Sequence, residues 1–167
     1  IAAGVSGVLV MGSMGIETYL KTSEYPKVAA LSAQAVHGRV PTLVGVTDVS
    51  IARVKDRIDR IGDIRGIDGV VSTIPYYNAL KQEEIYRFYA AIADYAKVPV
   101  YLYDLPGVTK VAIQPDTVRR LWKHGNIGGI KSGNIVLHRV LLQAEDHPDG
   151  LVQMFSNIDI SDVAYAW

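Results

Sequence analysis

The chain has 167 residues, 49% of them hydrophobic and 20% charged, with 17 basic and 17 acidic side chains. That is the size and composition of one globular domain, and a net charge of zero gives no electrostatic footprint for nucleic acid or an anionic membrane surface. The absence of cysteine excludes disulfides and thiolate metal sites, and no apolar run approaches the ~20 residues that cross a bilayer.

The start, Ile1-Ala2-Ala3-Gly4, has no initiator Met and no signal-peptide pattern, and the end, Val163-Ala164-Tyr165-Ala166-Trp167, stops on an apolar run; both ends are expected to be cut. Val8-Leu9-Val10-Met11 is a continuous apolar run of the kind a strand buried on both faces requires, and it ends in Gly12-Ser13-Met14-Gly15. A helix pattern follows, with Thr22 or Ser23 as N-cap, Val28, Leu31 and Ala35 on one face, and Gly38 as its left-handed stop. Residues 41–46 form the next strand. Asp48 or Ser50 then caps a helix with Ile51, Val54, Ile58 and Ile61 at helical spacing. Its segment Arg53-Val54-Lys55-Asp56-Arg57 reads as a solvated face of mixed charge.

Residues 69–74 are a third strand, ended by Pro75-Tyr76-Tyr77-Asn78. Residues 82–97 give the clearest amphipathic helix, with Ile85, Phe88, Tyr89, Ile92 and Ala96 as its stripe. The fourth strand spans residues 98–103, with Pro99 tolerable near its start. Pro115 opens a short helix through Val118, Leu121 and Trp122 that Gly125 terminates. The fifth strand runs into Gly128-Gly129-Ile130-Lys131-Ser132-Gly133. A helix carrying Leu137, Val140, Leu141 and Ala144 comes next, then a sixth strand at 151–156 and a further helix from Ile160.

Apolar strands about 30 residues apart, joined by helical crossovers, mean a parallel α/β sheet with right-handed connections. Gly12-Ser13-Met14-Gly15 matches neither glycine-rich nucleotide fingerprint. Even modules without a nucleotide loop favour part of a (β/α)8 barrel over a doubly wound sheet. In either architecture a ligand sits at the carboxyl ends of the strands. Those ends carry Ser13, Thr47, Tyr76, Tyr77, Tyr103, Lys131 and Asp159. A lysine closing a buried strand is costly as a cation, so burial depresses its pKa and leaves more of it as a nucleophilic amine, able to form a Schiff base with a ketone. A phenol one module earlier is placed to move protons, and a hydroxyl at a glycine turn with free N–H groups can hold a carboxylate.

Four stretches, Gly12-Ser13-Met14-Gly15, Pro75-Tyr76-Tyr77-Asn78, Tyr103-Asp104-Leu105-Pro106-Gly107-Val108-Thr109 and Gly129-Ile130-Lys131, resemble in order and spacing the signature motifs of the dihydrodipicolinate synthase / N-acetylneuraminate lyase superfamily. The resemblance implies an α/β (β/α)8 TIM barrel, of which this chain, as a single domain over residues 1–167, covers roughly strands 2 to 7. On that resemblance the sequence is expected to be a fragment of a longer protein, with the strands at Val8 and Val152 as exposed edges. It further implies a cytoplasmic, cofactor-free enzyme acting on a 2-oxo acid such as pyruvate and an aldehyde. In that enzyme Lys131 forms the imine and Tyr103 shuttles protons. Ser13 and the N–H of Met14 hold the keto-acid carboxylate, Asp159 touches substrate, and Tyr77 reaches across a dimer interface within a homotetramer.

The chain also departs from the pattern. Met14 replaces a second hydroxyl, Ile16 stands where a glutamate is usual, and Val108 occupies the position of an arginine that pairs a second carboxylate in the synthases. Asn157, Asp159 and Ile160 keep only the aspartate of the lyases' sugar-reading pair. A pyruvate-type aldolase or lyase of unassigned aldehyde is what remains. A non-catalytic 2-oxo-acid or sugar-acid binding protein, or an inactive fragment, are the alternatives. Tyr89, Tyr95 and Tyr101 read as packing residues, Asp104 as a strand-end cap, and Asp159 equally as a helix cap. His37, His124, His138 and His147 read as surface residues without metal-ligand spacing.

Overall fold

Six strands, β1 (Val8–Val10), β2 (Thr42–Gly45), β3 (Gly69–Thr73), β4 (Val100–Asp104), β5 (Ile127–Ser132) and β6 (Val152–Phe155), pair in that order, and every pair is parallel. The computed structural model describes residues 1–2 and 4–166; Ala3 and Trp167, within the two ends read as cut, lie outside the described residues. Between the strands run α1 (Tyr25–Val36), α2 (Ile51–Ile61), α3 (Gln82–Ala93), the short α4 (Pro106–Thr109) with α5 (Pro115–Leu121), and α6 (Ile135–Leu142), with α7 (Ser161–Tyr165) last. A doubly wound sheet reverses its strand order at a switch point. This sheet never reverses, so its crossovers turn one way and it forms half of a barrel wall.

The alternation of side chains along each strand gives the wall two faces. Val44, Val70, Leu102 and Ile130 point outward into the main core, where they meet Val54, Ile58, Ile85, Tyr89, Ile92 and Leu121 from the helices. Leu43, Val71 and Tyr103 point inward, with Leu9, Tyr101 and Met154 around them. No helical layer covers this inner group among the described residues, and that is the face on which the strand-end residues stand.

The helices follow the sequence pattern with differences on α1, at the end of α3, which stops at Ala93 rather than residue 97, and on α6, where Val140 is 43% exposed and Ala144 lies past the helix end. On α1 the buried stripe is Tyr25, Ala29, Ala33 and Val36, while Leu31 is 65% exposed. The alanines let α1 lie close to the sheet, which a stripe built on Leu31 would not. Its N-cap is Glu24, and the left-handed turn begins one residue early, at His37. On α2, Ser50 is the cap, its side chain accepting from the Arg53 N–H at 3.4 Å, and Val54, Ile58 and Ile61 are buried as the spacing predicts. The strand β1 is half-buried rather than buried on both faces, because it is an edge.

Candidate active site

Parallel pairing brings Thr73 opposite Tyr103 and Tyr103 opposite Lys131, so these side chains stand side by side on the inner face. Lys131 Nζ lies 3.6 Å from the centroid of the Tyr103 ring, close enough for the ring's negative face to attract a cation. On the other side, the Tyr103 hydroxyl and Ser13 Oγ share a hydrogen bond of 2.9 Å across 90 residues of sequence. Three residues from three motifs therefore converge. Lys131 is half-buried rather than buried, because the face that carries it has no covering layer.

The convergence is held from behind. Tyr89, fully buried on α3, donates its hydroxyl to the Ser72 carbonyl (2.8 Å) and accepts the Tyr103 N–H (3.3 Å), so α3 fixes the backbone of β4. At the strand end Asp104 is buried, accepting from Ser132 Oγ (2.7 Å) and from the Ile113 N–H (3.0 Å). It ties β4 to β5, as the capping role anticipated. Gly129 faces β6 so closely that a Cβ would run into the Val152 carbonyl, which explains the glycine two residues before the lysine.

At the turn after β1, the Ile16 N–H donates to the Ser13 carbonyl (3.1 Å), whereas the N–H groups of Met14 and Gly15 enter no backbone hydrogen bond among the described residues. They remain available to an anion beside the Ser13 hydroxyl. The Met14 side chain is 94% exposed and contributes nothing to the cluster. Asp159 is exposed and lines a cleft of about 570 Å³ with Leu105, Ser132, Asn134, Ser156 and Asn157. The capping role falls to Asn157, whose side chain accepts the Asp159 N–H at 3.1 Å. Tyr77 stands apart from the cluster, 76% exposed, its carbonyl accepting from Lys110 Nζ at 2.8 Å.

The structure adds to one reading of the sequence and corrects others. Ile16, at the position where a glutamate is usual, is in a left-handed conformation (φ 47°) and 60% exposed, and Glu17 behind it turns inward to 4% exposure. Burial pushes the Glu17 carboxyl up to about 7, against the opposing pull of hydrogen bonds from Thr47 and the charge of Arg57. Gly45 lies beneath it, where a Cβ would meet both the Glu17 carboxyl and the Met11 carbonyl. Arg57, read as solvated, has a side chain only 13% exposed; its Nε donates to Asp48 at 3.0 Å and its guanidinium lies over Tyr25, 5.1 Å from the ring centroid. Burial alone would raise the Asp48 carboxyl, but hydrogen bonds from Arg53 and the Val49 N–H, with the charge of Arg57, hold it below its usual range. His138, read as a surface residue, is buried; one ring nitrogen meets the Ser132 carbonyl (3.0 Å) and the other meets Gln153 (2.7 Å). Among the described residues no cluster of three or more His, Asp or Glu side chains has the arrangement of a metal site, and no helix is long and apolar enough to cross a membrane.

Residues 1–155 match the Dihydrodipicolinate synthetase family. Among curated relatives, the 4-hydroxy-tetrahydrodipicolinate synthase of Ligilactobacillus salivarius is 34% identical over 128 residues, 77% of this chain and 44% of that protein. The enzyme of the same name from Pelobacter propionicus is 37% identical over 131 residues, 78% of this chain and 45% of that protein. The crystal structure of dihydrodipicolinate synthase DapA-2 from Bacillus anthracis superimposes with a TM-score of 0.88 at 28% identity, over 98% of this chain and 56% of that one. YagE, a prophage protein of the dihydrodipicolinic acid synthase family from E. coli K12 whose structure is a complex with pyruvate, shares the fold at a TM-score of 0.88 and 24% identity, over 99% of this chain and 56% of its own. The chain thus spans about half the length of the relatives it matches.

Proposed function

Because this chain belongs to the Dihydrodipicolinate synthetase family, we propose that it carries the Schiff-base half of a pyruvate-type aldolase or lyase. The observation that supports this reading best is the contact of Lys131 Nζ with the Tyr103 ring at 3.6 Å, with the phenol hydroxyl bonded to Ser13. The amine of Lys131 attacks the keto carbon of a 2-oxo acid. Nitrogen gives up two protons, the keto oxygen leaves as water, and the product is an imine. The Tyr103 hydroxyl delivers a proton to the departing oxygen and later takes one from the carbon next to the imine, with Ser13 as its partner. The Ser13 hydroxyl and the Met14 N–H hold the substrate carboxylate.

The aldehyde half enters the cleft lined by Ser132, Asn134, Asn157 and Asp159. That lining offers hydroxyl, amide and carboxylate groups, and Val108 nearby in sequence has no charge with which to pair a second carboxylate. This favours an aldehyde other than the one used in dihydrodipicolinate synthesis proper. The intact protein on this reading is a cytoplasmic homotetramer of tight dimers with the exposed Tyr77 at the dimer contact. Sedimentation equilibrium should give four chains per particle, and a monomer at micromolar concentration would remove the assembly.

Borohydride reduction in the presence of pyruvate should add one three-carbon unit to the intact mass of the wild type and none to Lys131→Ala. On Tyr103→Phe the adduct should still form while turnover in an aldehyde panel falls by about 10²–10⁴-fold, the usual contribution of a positioned acid–base group. Pyruvate binding by calorimetry that survives Lys131→Ala, without turnover in the wild type, would instead mark a binding protein.

A further inference from the structure

Two polar atoms of opposite character are buried behind the Ser13 turn without a hydrogen-bond partner among the described residues: Glu17 Oε2 and Arg57 Nη1. A buried orphan of either kind is expensive, and two complementary orphans acting on one another describe a pair that is not yet made. The groups facing Glu17 are few. From α1 comes Tyr25, whose hydroxyl donates to the Gly45 carbonyl; from the segment after β2 come Thr47, which hydrogen-bonds the carboxyl, and Asp48; from α2 comes Arg57. Arg53 faces Asp48 rather than Glu17.

The carboxyl is mechanically linked to the site. The Glu17 N–H reaches back to the Gly12 carbonyl at 3.5 Å and closes the turn that presents Ser13. Met11 and Ile16, on either side of that turn, both hold positive φ, 52° and 47°. A β-branched residue pays for that geometry without gaining burial, since Ile16 is 60% exposed. The anchor that keeps the turn in this shape is therefore the inward-turned Glu17.

We propose that Glu17 is a protonation-controlled positioning residue: as a neutral acid bonded to Thr47 it holds Ser13 and the Met14 N–H in the geometry that receives a 2-oxo-acid carboxylate, and once ionised it turns to Arg57 Nη1 and draws the turn out of that geometry. The inference rests on the reading that Ser13 receives the substrate carboxylate. Because burial places the Glu17 titration at about 7, the two forms exchange across neutrality. With binding confined to the protonated form, the apparent affinity scales with the protonated fraction.

The half-saturating pyruvate concentration for borohydride trapping should then rise about tenfold from pH 6 to pH 8 in the wild type, relative to Glu17→Gln measured at the same pH values. Comparison at each pH cancels every pH effect common to the two proteins, and Gln keeps the shape of the side chain while losing its proton equilibrium. An unchanged ratio across that range overturns the proposal. A second measurement needs no variant: amide hydrogen exchange of residues 12–17, corrected for intrinsic rates, should lose protection between pH 6 and 8 while the 106–110 turn does not. Equal protection at both pH values also overturns it. If the wild type forms no pyruvate adduct at any pH, the Schiff-base reading fails, and the exchange measurement still decides whether Glu17 controls the turn.

Discussion

Tyr103 stands between two groups that only folding brings together, the Lys131 Nζ at its ring face and the Ser13 hydroxyl at its oxygen. These three were legible because each closes a short motif at a strand end, where side-chain alternation and parallel register leave little freedom. Glu17 was not legible. Ile16 stands where the motif glutamate is usual, and its left-handed conformation, which turns the next residue inward, has no signal in the local pattern. Its burial has a consequence for stability. The folded pKa, about 7, lies above the ordinary 4.5, so the fold prefers the protonated acid. The resulting stabilisation is complete below about 4.5 and lost as pH rises through about 7, a difference of about 3 kcal/mol at full extent. Glu17→Gln should therefore melt above the wild type at pH 8, with the gap closing by pH 5; a pH-independent gap measured by thermal denaturation would contradict a buried, titrating carboxyl.

At the scale of elements, β4 is positioned by α3 through a single side chain. Tyr89 was rightly read as a packing residue, but its hydroxyl also joins Ser72 to the Tyr103 backbone. Tyr89→Phe keeps the buried ring and removes both bonds, leaving a carbonyl and an N–H to find other partners. It should cost about 1–3 kcal/mol by urea denaturation and lower the rate of imine trapping without abolishing it; an unaffected midpoint and rate would show that the helix does not set the strand. The helices show where pattern reading runs short. On α2 and α3 large apolar residues build the buried face, with Ile51 at the first turn of α2 the exposed exception. On α1 the largest apolar candidate, Leu31, faces out while Ala29 is fully buried, since how closely the helix approaches the sheet is decided by tertiary contact rather than by hydrophobicity. The same limit explains His138, whose burial depends on partners at Ser132 and Gln153 that no local periodicity reveals.

For the whole molecule, the architecture was the most legible feature, because evenly spaced strand–helix modules admit few arrangements and a strand order without reversal selects among them. The edges β1 and β6 are uncovered in this chain, which spans about half the length of its relatives. The inner face between them holds the proposed chemistry. Everything functional depends on which amine condenses with the ketone, and peptide mapping after borohydride trapping with pyruvate reads this directly. The three-carbon adduct is expected on the peptide containing Lys131 and on no other lysine; an adduct on a different lysine, or none on folded protein, rules out Lys131 as the imine-forming residue.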